Sequence, residues 1–289
     1  MSTIPDSDVR ARDPARDPRD PRDAVASVPM WYHSIDVGPG LVTPGWFDLR
    51  PIVSTLPWPD VRDKRCLDVG TSDGFLAFEL ERRGATEVVA ADIADHEQWD
   101  WELHKRALGP EYLLHNAGPQ KGLGFEVARE LLGSSVTPAQ VSVYDLSPQT
   151  VGEFDVVVCG SLLLHLRDPL RALEAIRSVC RGLFLSTNQI DLGRSLLRRR
   201  QPLLRLDGTS GITQWWLPNA AAHRQMLRAS GFEIERESGL YCIPFGVAHE
   251  PRGLSPRRLL SAAVRRTFTG HDGVPHHAVL ARPYSTGER

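Results

Sequence analysis

Lysine, cysteine and long apolar runs are all scarce in this 289-residue chain. Only three of its 34 basic residues are lysine, which leaves 31 arginines (34 minus 3). We attribute this bias to genome composition, so a cluster of arginines is weak evidence for a binding site. The formal net charge of −2 excludes the strong positive field that nucleic-acid-binding chains carry.

The few cysteines limit the chemistry further. Cys66, Cys159, Cys180 and Cys242 include no C-x-x-C pair, which argues against a zinc site and a disulfide framework. The chain has no apolar run of about eighteen residues, and its N-terminus lacks the apolar core of a signal peptide. We therefore expect a cytoplasmic protein with no metal and no membrane partner.

The chain divides into three parts, of which the last is long enough to bury a full core. Residues 1–25 repeat Arg-Asp-Pro and have almost nothing apolar to bury, which predicts a disordered tail. Residues 26–62 are rich in aromatic side chains and predict a lid that packs over the following domain. Residues 63–289 form that domain.

A strand-loop-helix-strand unit opens the domain. The apolar run 66–69 leads into a loop and a helix over residues 75–83, and a second apolar run, 88–91, ends in Asp92. This pattern is typical of a nucleoside-binding βαβ unit, in which an acid at the second strand accepts hydrogen bonds from ribose hydroxyls. Dinucleotides and S-adenosylmethionine are the two cofactors that use it.

The spacing within the loop favours one of these cofactors. Asp68, Gly70 and Gly74 do not give the G-x-G-x-x-G spacing of a dinucleotide site, so a nicotinamide-linked reductase is the weaker interpretation. A second acid, Asp73, is unfavourable beside a pyrophosphate but suits an ammonium and a sulfonium. The loop resembles motif I of class I S-adenosylmethionine-dependent methyltransferases, with Ser72 in place of its middle glycine.

Strand and helix patterns alternate along the rest of the domain, which indicates a mostly parallel sheet. Further strands are predicted over residues 141–144, 154–159, 182–186, 232–241 and 277–281. Helices are predicted after the N-caps Asp168, Asn219 and Ser255, the last with Leu259, Leu260 and Val264 facing inward. The resemblance implies an α/β, Rossmann-like, seven-stranded sheet with helices on both faces and an antiparallel last strand.

Other segments are similar to one group within this family, related to the tRNA wobble-uridine carboxymethyltransferases. The similar segments are residues 31–36 with 43–48, 143–148, 163–170 and 215–219. In that group a lysine before motif I holds the extra carboxylate of the cofactor. Lys64 is the only lysine in that stretch and does not look equivalent, so we expect plain methyl transfer.

The resemblance implies which residues bind S-adenosylmethionine. They are Asp68, Gly70, Thr71, Gly74, Asp92, Ile93, Asp145, Leu146 and Gly160. Asp68 and Gly70 would lie along the methionine part, Asp92 would hold the ribose diol and Asp145 would reach the adenine amino group. For Asp92 and Asp145, the alternative role is capping of a following helix. Asp73 is expected to be only a loop acid or a helix cap.

His165 is the best candidate for a general base. It follows the fourth strand, at the carboxyl edge where open α/β sheets bind ligands, and an unperturbed histidine titrates near pH ~6.5. A hydrogen bond within its own loop is the alternative. His33 is a second candidate, for which a packed structural role is the alternative.

Candidate substrate contacts are aromatic and basic. Trp31, Tyr32, Trp46, Trp215 and Trp216 are candidates for stacking on a flat acceptor, with core or lid packing as the alternative. Two insertions, residues 187–217 and 246–270, hold ten arginines against three acids. Arg198 and Arg199 belong to the first and would form a basic rim for an anionic substrate, with a solvated surface as the alternative.

The leading hypothesis is transfer of a methyl group to an oxygen or nitrogen of a small, possibly anionic, molecule. The first alternative is a tRNA methyl or carboxymethyl transferase of the wobble-uridine type, which the acidic chain and the lack of a separate RNA-binding module disfavour. The second is a protein that binds S-adenosylmethionine without catalysis. The oligomeric state is not indicated.

Overall fold

The computed structural model describes residues 20–117, 121–207, 213–249 and 255–284. Its strands are β1 (Trp31–His33), β2 (Asp36–Gly38), β3 (Leu41–Val42), β4 (Gly45–Phe47), β5 (Arg65–Val69), β6 (Glu87–Asp92), β7 (Thr137–Gln140), β8 (Phe154–Gly160), β9 (Cys180–Gln189), β10 (Leu204–Leu206), β11 (Trp216–Pro218), β12 (Phe232–Glu237), β13 (Tyr241–Ile243) and β14 (Val274–Pro283). Its helices are α1 (Pro21–Ser27), α2 (Phe75–Arg82), α3 (Leu103–Arg106), α4 (Pro110–Ala117), α5 (Leu123–Leu132), α6 (Pro169–Val179), α7 (Leu192–Leu197), α8 (Ala220–Ala229) and α9 (Pro256–Thr269).

A mostly parallel sheet forms the centre of the domain. Its strand order is β12-β14-β9-β8-β5-β6-β7, with the short β13 also paired to β14. Strands β7, β6, β5, β8 and β9 run parallel, and β14 is antiparallel to both of its neighbours. This confirms the predicted Rossmann-like class and the antiparallel last strand. The carboxyl ends of the parallel strands therefore meet at one edge of the sheet.

Helices cover both faces because the sheet buries apolar side chains on alternate sides. On one face, α2 and α5 bring Phe78 and Phe125 into a stack with ring centroids 5.5 Å apart. On the other face, α6 and α8 bury Ile176 and Leu227 completely. The predicted N-caps of these two helices are confirmed, since Asp168 and Asn219 accept backbone N–H bonds from the first turns.

Two predicted strands are wrong in their bounds. The third strand is β7, and the stretch predicted for it instead forms a turn over Val143–Asp145, because the Ser142 side chain accepts the Tyr144 N–H. The strand predicted over 232–241 ends at Glu237, and the chain pairs again with β14 only as β13. Local propensity did not show where these backbone hydrogen bonds stop.

The end of the predicted disordered tail forms part of a helix. Residues 1–19 of the predicted disordered tail lie outside the described residues, but α1 begins at Pro21. Asp20 caps this helix, proline is pre-organised for the first position, and the Val25 carbonyl accepts the Trp31 indole N–H at 3.0 Å. Burial of Trp31 against this helix fixes it to the domain.

The aromatic segment lies over the sheet edge. Strands β1 and β4 pair in parallel, and the backbone of β4 then bonds to the chain after β13 through Gly246 N–H to the Trp46 carbonyl, 2.8 Å. Asp48 N–H donates to the Pro244 carbonyl at 3.0 Å. Across the described ranges, the longest helices are too short or too polar to pass through a bilayer.

Candidate active site

The loop between β5 and α2 requires both of its glycines. Gly70 has φ +75°, and a Cβ there would lie 3.0 Å from Leu162. Gly74 has φ +91°, and its Cβ would lie 2.5 Å from the Phe78 ring and 2.7 Å from the Phe125 ring. Because other side chains disfavour this left-handed backbone, the glycines let the chain turn tightly above the carboxyl end of β5.

Asp68 stabilises this loop from beneath. It is 1% exposed, and its Oδ2 accepts the Thr71 hydroxyl at 2.7 Å. Burial, with a smaller contribution from the nearby charge of Asp92, raises the pKa of Asp68 to about 7. The carboxyl group therefore holds Thr71 and the loop in place, and it is enclosed rather than exposed at the cleft surface.

Asp73 connects the loop to the aromatic segment. Its Oδ2 accepts the backbone N–H groups of Tyr32 at 2.5 Å and His33 at 2.9 Å. Burial raises the pKa of Asp73 to about 6, although these two hydrogen bonds act in the opposite direction. The role is structural, and it fastens β1 beside the start of α2.

Asp92 lies at the carboxyl end of β6, and its carboxylate accepts several donors. Oδ2 accepts Ser72 N–H at 2.9 Å, and Oδ1 accepts Ile93 N–H at 2.8 Å. Lys121 Nζ lies 3.1 Å from both oxygens and 5.6 Å from the centre of the Trp99 ring. The position of this lysine could not be predicted from the sequence, where only the rarity of lysine draws attention to it.

The adjoining strands supply the rest of the cleft. Val141 N–H donates to the Asp92 carbonyl at 2.9 Å, which brings the turn that carries Asp145 beside β6. Asp145 is exposed and Leu146 is 4% exposed, so the acid is accessible and the leucine packs beneath it. At the end of β8, a Cβ on Gly160 would lie 2.6 Å from a methyl carbon of Leu76, so a larger residue there would displace the Leu76 side chain.

His165 has one ring nitrogen available. Its Nδ1 lies 2.5 Å from the Thr213 carbonyl, which can only accept, so Nδ1 carries the proton and Nε2 carries the lone pair. Burial lowers the pKa of His165, and the charge of Lys121 adds to the effect. The imidazole is therefore neutral near pH 7, which is the form that a base requires.

A second histidine lies at the same edge, and the sequence did not reveal it. His276 Nδ1 donates to the Val274 carbonyl at 2.8 Å, so its Nε2 accepts the Ser161 hydroxyl at 2.8 Å. Ser161 directly follows β8 and has φ +51°, a conformation that is uncommon for serine. Burial lowers the pKa of His276 to about 4. The Ser161 oxygen thus keeps its lone pairs for another donor.

A family model described as a methyltransferase domain matches residues 48–237. The chain belongs to this family. It is an S-adenosylmethionine-dependent methyltransferase, as the loop, the acid Asp92 and the strand order had suggested. The donor set fits the cofactor, because the Asp92 carboxylate at the end of β6 suits a ribose diol and Asp145 is accessible beside it.

Curated relatives of the methyltransferase include ubiquinone biosynthesis O-methyltransferases. The protein of Acinetobacter baumannii strain AYE is 24% identical over 223 residues, which cover 69% of this chain and 81% of the relative. The protein of Xanthomonas campestris pv. campestris strain B100 is 33% identical over 126 residues, 43% and 42% of the two chains. The crystal structure of the cyclase SpnF is similar in fold, with a TM-score of 0.50, 18% identity and coverage of 91% and 92%.

One predicted substrate-binding tryptophan is buried, and two others donate hydrogen bonds to the backbone of the methyltransferase. Trp31 is 1% exposed, so the prediction that it contacts substrate is wrong. Trp215 Nε1 donates to the Asp100 carbonyl at 2.6 Å, and Trp216 Nε1 donates to the Arg167 carbonyl at 3.0 Å. These hydrogen bonds secure the chain around the His165 loop, and both rings remain partly exposed.

The remaining aromatic candidates lie in and beside the lid segment. Trp46 is 37% exposed and has an edge contact with His249. Burial raises the pKa of Tyr32 to about 12, and the charge of Asp73 contributes. Burial lowers the pKa of His33 to about 3, so this histidine is neutral and a poor base. Its ring lies 5.8 Å from that of Phe75, the first residue of α2.

The basic insertions lie partly outside the described residues, at 208–212 and 250–254. Arg198 and Arg199 are exposed just beyond α7, at the surface of the methyltransferase. Among the residues that the structure describes, no group of three or more histidine, cysteine or acidic side chains is arranged to hold a metal ion.

Proposed function

We propose that the protein transfers a methyl group from S-adenosylmethionine to a hydroxyl oxygen of a small molecule. The observation that carries this proposal is the neutral His165. It donates to the Thr213 carbonyl through Nδ1, so the lone pair on Nε2 can accept a proton. A hydroxyl loses its proton when it is methylated, so an oxygen acceptor needs such a base. The names of the O-methyltransferase relatives support the same choice of atom.

The cleft residues would bind and orient the cofactor, which supplies an electrophilic methyl group when it is bound. Asp92 would accept the ribose hydroxyls, Asp145 would receive the adenine amino group, and the Gly70 turn would allow the methionine part to approach the backbone. For the ribose to bind, Lys121 Nζ must share or leave its position at 3.1 Å from the Asp92 oxygens. Positioning of this kind supplies much of the acceleration in a displacement reaction.

His165 would take the acceptor's proton at Nε2 as the new carbon–oxygen bond forms. The Thr213 carbonyl fixes the required tautomer and stabilises the imidazolium through the Nδ1 proton. Ser161 would accept a hydrogen bond from a second polar group of the acceptor, because its own proton is given to His276. Ser161 and His165 both follow β8, and His276 lies at the start of β14, which is paired with the carboxyl end of β9 at the same edge of the sheet.

Steady-state methylation of a panel of phenols and catechols, followed by release of S-adenosylhomocysteine, tests the proposal. His165→Gln should lower kcat by about 10²–10⁴-fold with little change in cofactor affinity. His104→Gln, which replaces an exposed histidine on α3, is the control and should keep full activity. Equal kcat values for the wild type and His165→Gln would contradict the role of this residue.

The pH dependence gives a second test of the same base. Because burial lowers the pKa of His165, the histidine loses its proton below the usual pH of ~6.5. The rate should therefore rise with pH only under acidic conditions and stay level through neutral pH. A rate that rises steeply between about pH 7 and 8 would assign the base to another group.

The wobble-uridine group provides the alternative function. Lys64 is exposed at the amino end of β5, on the edge opposite the cleft, and it is therefore badly placed to hold a cofactor carboxylate. This supports plain methyl transfer. Binding of tRNA that weakens steeply as salt rises, together with tRNA methylation, would favour the alternative. Binding of S-adenosylmethionine without turnover of any acceptor would indicate a protein that only binds the cofactor.

A further inference from the structure

Helix α9 exposes the apolar face that the sequence predicts to be buried. Leu259 is 55% exposed, Leu260 68%, Val264 39% and Phe268 51%. The prediction that the first three face inward is therefore wrong. Positions 260, 264 and 268 recur every fourth residue, so they form one continuous stripe along the helix.

The stripe packed against the domain is polar, which explains the reversal. Thr269 is 9% exposed, and its hydroxyl lies 3.1 Å from Cys242 Sγ in β13. Arg265 pairs with Asp272 at 2.7 Å and also donates to the Ser261 hydroxyl at 2.7 Å. The Thr269 contact joins α9 to β13, and the Arg265 bonds join the helix to its own Ser261 and to the chain that follows it, while the leucines and the phenylalanine face outward.

Helix α7 extends this apolar surface. The two helices form the walls of an open groove of about 460 Å³, whose lining includes Leu192 and Leu196 from α7 and Leu260 and Val264 from α9. Leu197, at the end of α7, is 82% exposed. We call the outward side chains of both helices the α7–α9 surface, which consists of Leu196, Leu197, Leu259, Leu260, Val264 and Phe268.

Arginines surround the α7–α9 surface. Arg198, Arg199 and Arg200 follow Leu197 directly, and Arg266 is exposed on α9. The nearby acids are already used, since Asp191 pairs with Arg194 and Asp207 with Arg205, and no ion pair to the three successive arginines occurs within the described ranges. The chain as a whole has a net charge of −2, so this positive region is local.

The surface lies at the same edge of the sheet as the cofactor cleft. Helix α7 follows β9 at its carboxyl end, and α9 precedes β14, which runs antiparallel to β9. Both helices therefore emerge at the edge of the sheet where Asp92 ends β6, Gly160 ends β8 and Gly70 follows β5. A partner bound there would lie beside the entrance for the acceptor.

We propose that the α7–α9 surface binds the interface of an anionic lipid bilayer. Leucine and phenylalanine side chains would enter the boundary between headgroups and acyl chains, and the arginines would contact the anionic headgroups, as in other basic amphipathic helices. A second copy of the chain is less suitable, because a two-fold contact would bring the same arginines together. The earlier expectation of no membrane partner rested only on the lack of a segment that could span one.

Sedimentation of the full-length protein with vesicles tests this proposal. The protein should bind vesicles of equimolar phosphatidylcholine and phosphatidylglycerol and should bind pure phosphatidylcholine much more weakly. Replacing Arg199 and Arg200 with glutamine should weaken binding about fivefold for each arginine, with the effect reduced at high salt. Leu197→Gln with Leu260→Gln should reduce binding at every salt concentration.

Matched controls distinguish binding through this surface from nonspecific adsorption to vesicles. Leu103→Gln replaces a leucine that is 73% exposed on α3, and Arg228→Gln replaces an exposed arginine in the last turn of α8, near the opposite edge of the sheet. Both should bind vesicles as the wild type does. Cofactor affinity and thermal unfolding, measured on every variant, verify that each one is folded.

Three results would overturn the proposal. The first is equal binding to neutral and anionic vesicles, and the second is unchanged binding of the leucine and arginine variants. The third combines two observations: the wild type does not bind vesicles, and it forms a dimer in sedimentation velocity that Leu260→Gln dissociates. That result would assign the surface to a second copy of the chain. Because binding is measured without turnover, none of these results depends on the proposed methyl acceptor.

Discussion

Three acids near the cleft have three different functions that the sequence alone does not separate. Asp68 is enclosed and holds Thr71, Asp73 fastens the aromatic segment, and Asp92 accepts the Ser72 N–H and contacts Lys121. Burial raises the pKa of both Asp68 and Asp73. The difference arises from which backbone N–H groups lie nearby, and those groups come from segments distant in the chain.

The buried Asp68 predicts a specific pH dependence of stability. Its pKa is about 7 in the folded protein but near 3.8 in an unfolded chain, so its contribution is complete below about pH 4 and is lost as pH rises to about 7. The free energy of unfolding of the wild type, relative to Asp68→Asn, should fall by on the order of 4 kcal/mol over that range. Urea unfolding at several pH values measures the difference. A difference that stays constant with pH would show that the folded carboxyl is already ionised.

At the scale of elements, the loop before α2 follows from local rules, and Gly70 and Gly74 form the tight turn that the sequence predicts. The substitution Gly74→Ala would place a Cβ on a left-handed backbone, where it would clash with the rings of Phe78 and Phe125. The substitution should lower the free energy of unfolding by about 2–4 kcal/mol. Gly133→Ala, at the C-cap of α5, is the control, since its φ is +58° and no atom lies within 4 Å of the added Cβ. It should cost about 1 kcal/mol, and equal losses would rule out the packing role of Gly74.

The elements also show where sequence patterns stop being sufficient. Helices α6 and α8 were predicted to within a residue because a polar N-cap precedes each apolar stripe. Helix α9 was predicted in place but with the wrong face buried, because the hydrogen bonds of Thr269 and Arg265 decide its orientation. Amphipathic spacing predicts that a helix has an apolar and a polar face, but it does not determine which face packs against the domain.

For the whole molecule, the order of elements was predictable and the long-range contacts were not. The βαβ unit and the alternation of strands and helices indicate the sheet, and motif spacing indicates Asp92. The meeting of Lys121 with Asp92 joins residues 29 apart, and that of Ser161 with His276 joins residues 115 apart. No periodicity or short motif encodes such pairs, so these contacts emerge only from the folded chain.

The central claim is that Asp92 holds the nucleoside of S-adenosylmethionine at this edge of the sheet. A hydrogen bond to a charged group is worth about 1.5–3 kcal/mol, so Asp92→Ala should weaken cofactor binding by about one to two decades. Glu97→Gln, an exposed acid in the next turn, is the control and should leave the affinity unchanged.

Isothermal titration calorimetry of S-adenosylmethionine against the wild type and both variants is the most direct measurement. The account predicts tight binding by the wild type and Glu97→Gln, a large loss for Asp92→Ala, and no binding of a nicotinamide dinucleotide by any of them. Equal affinity for the wild type and Asp92→Ala, or a preference for the dinucleotide, would contradict it.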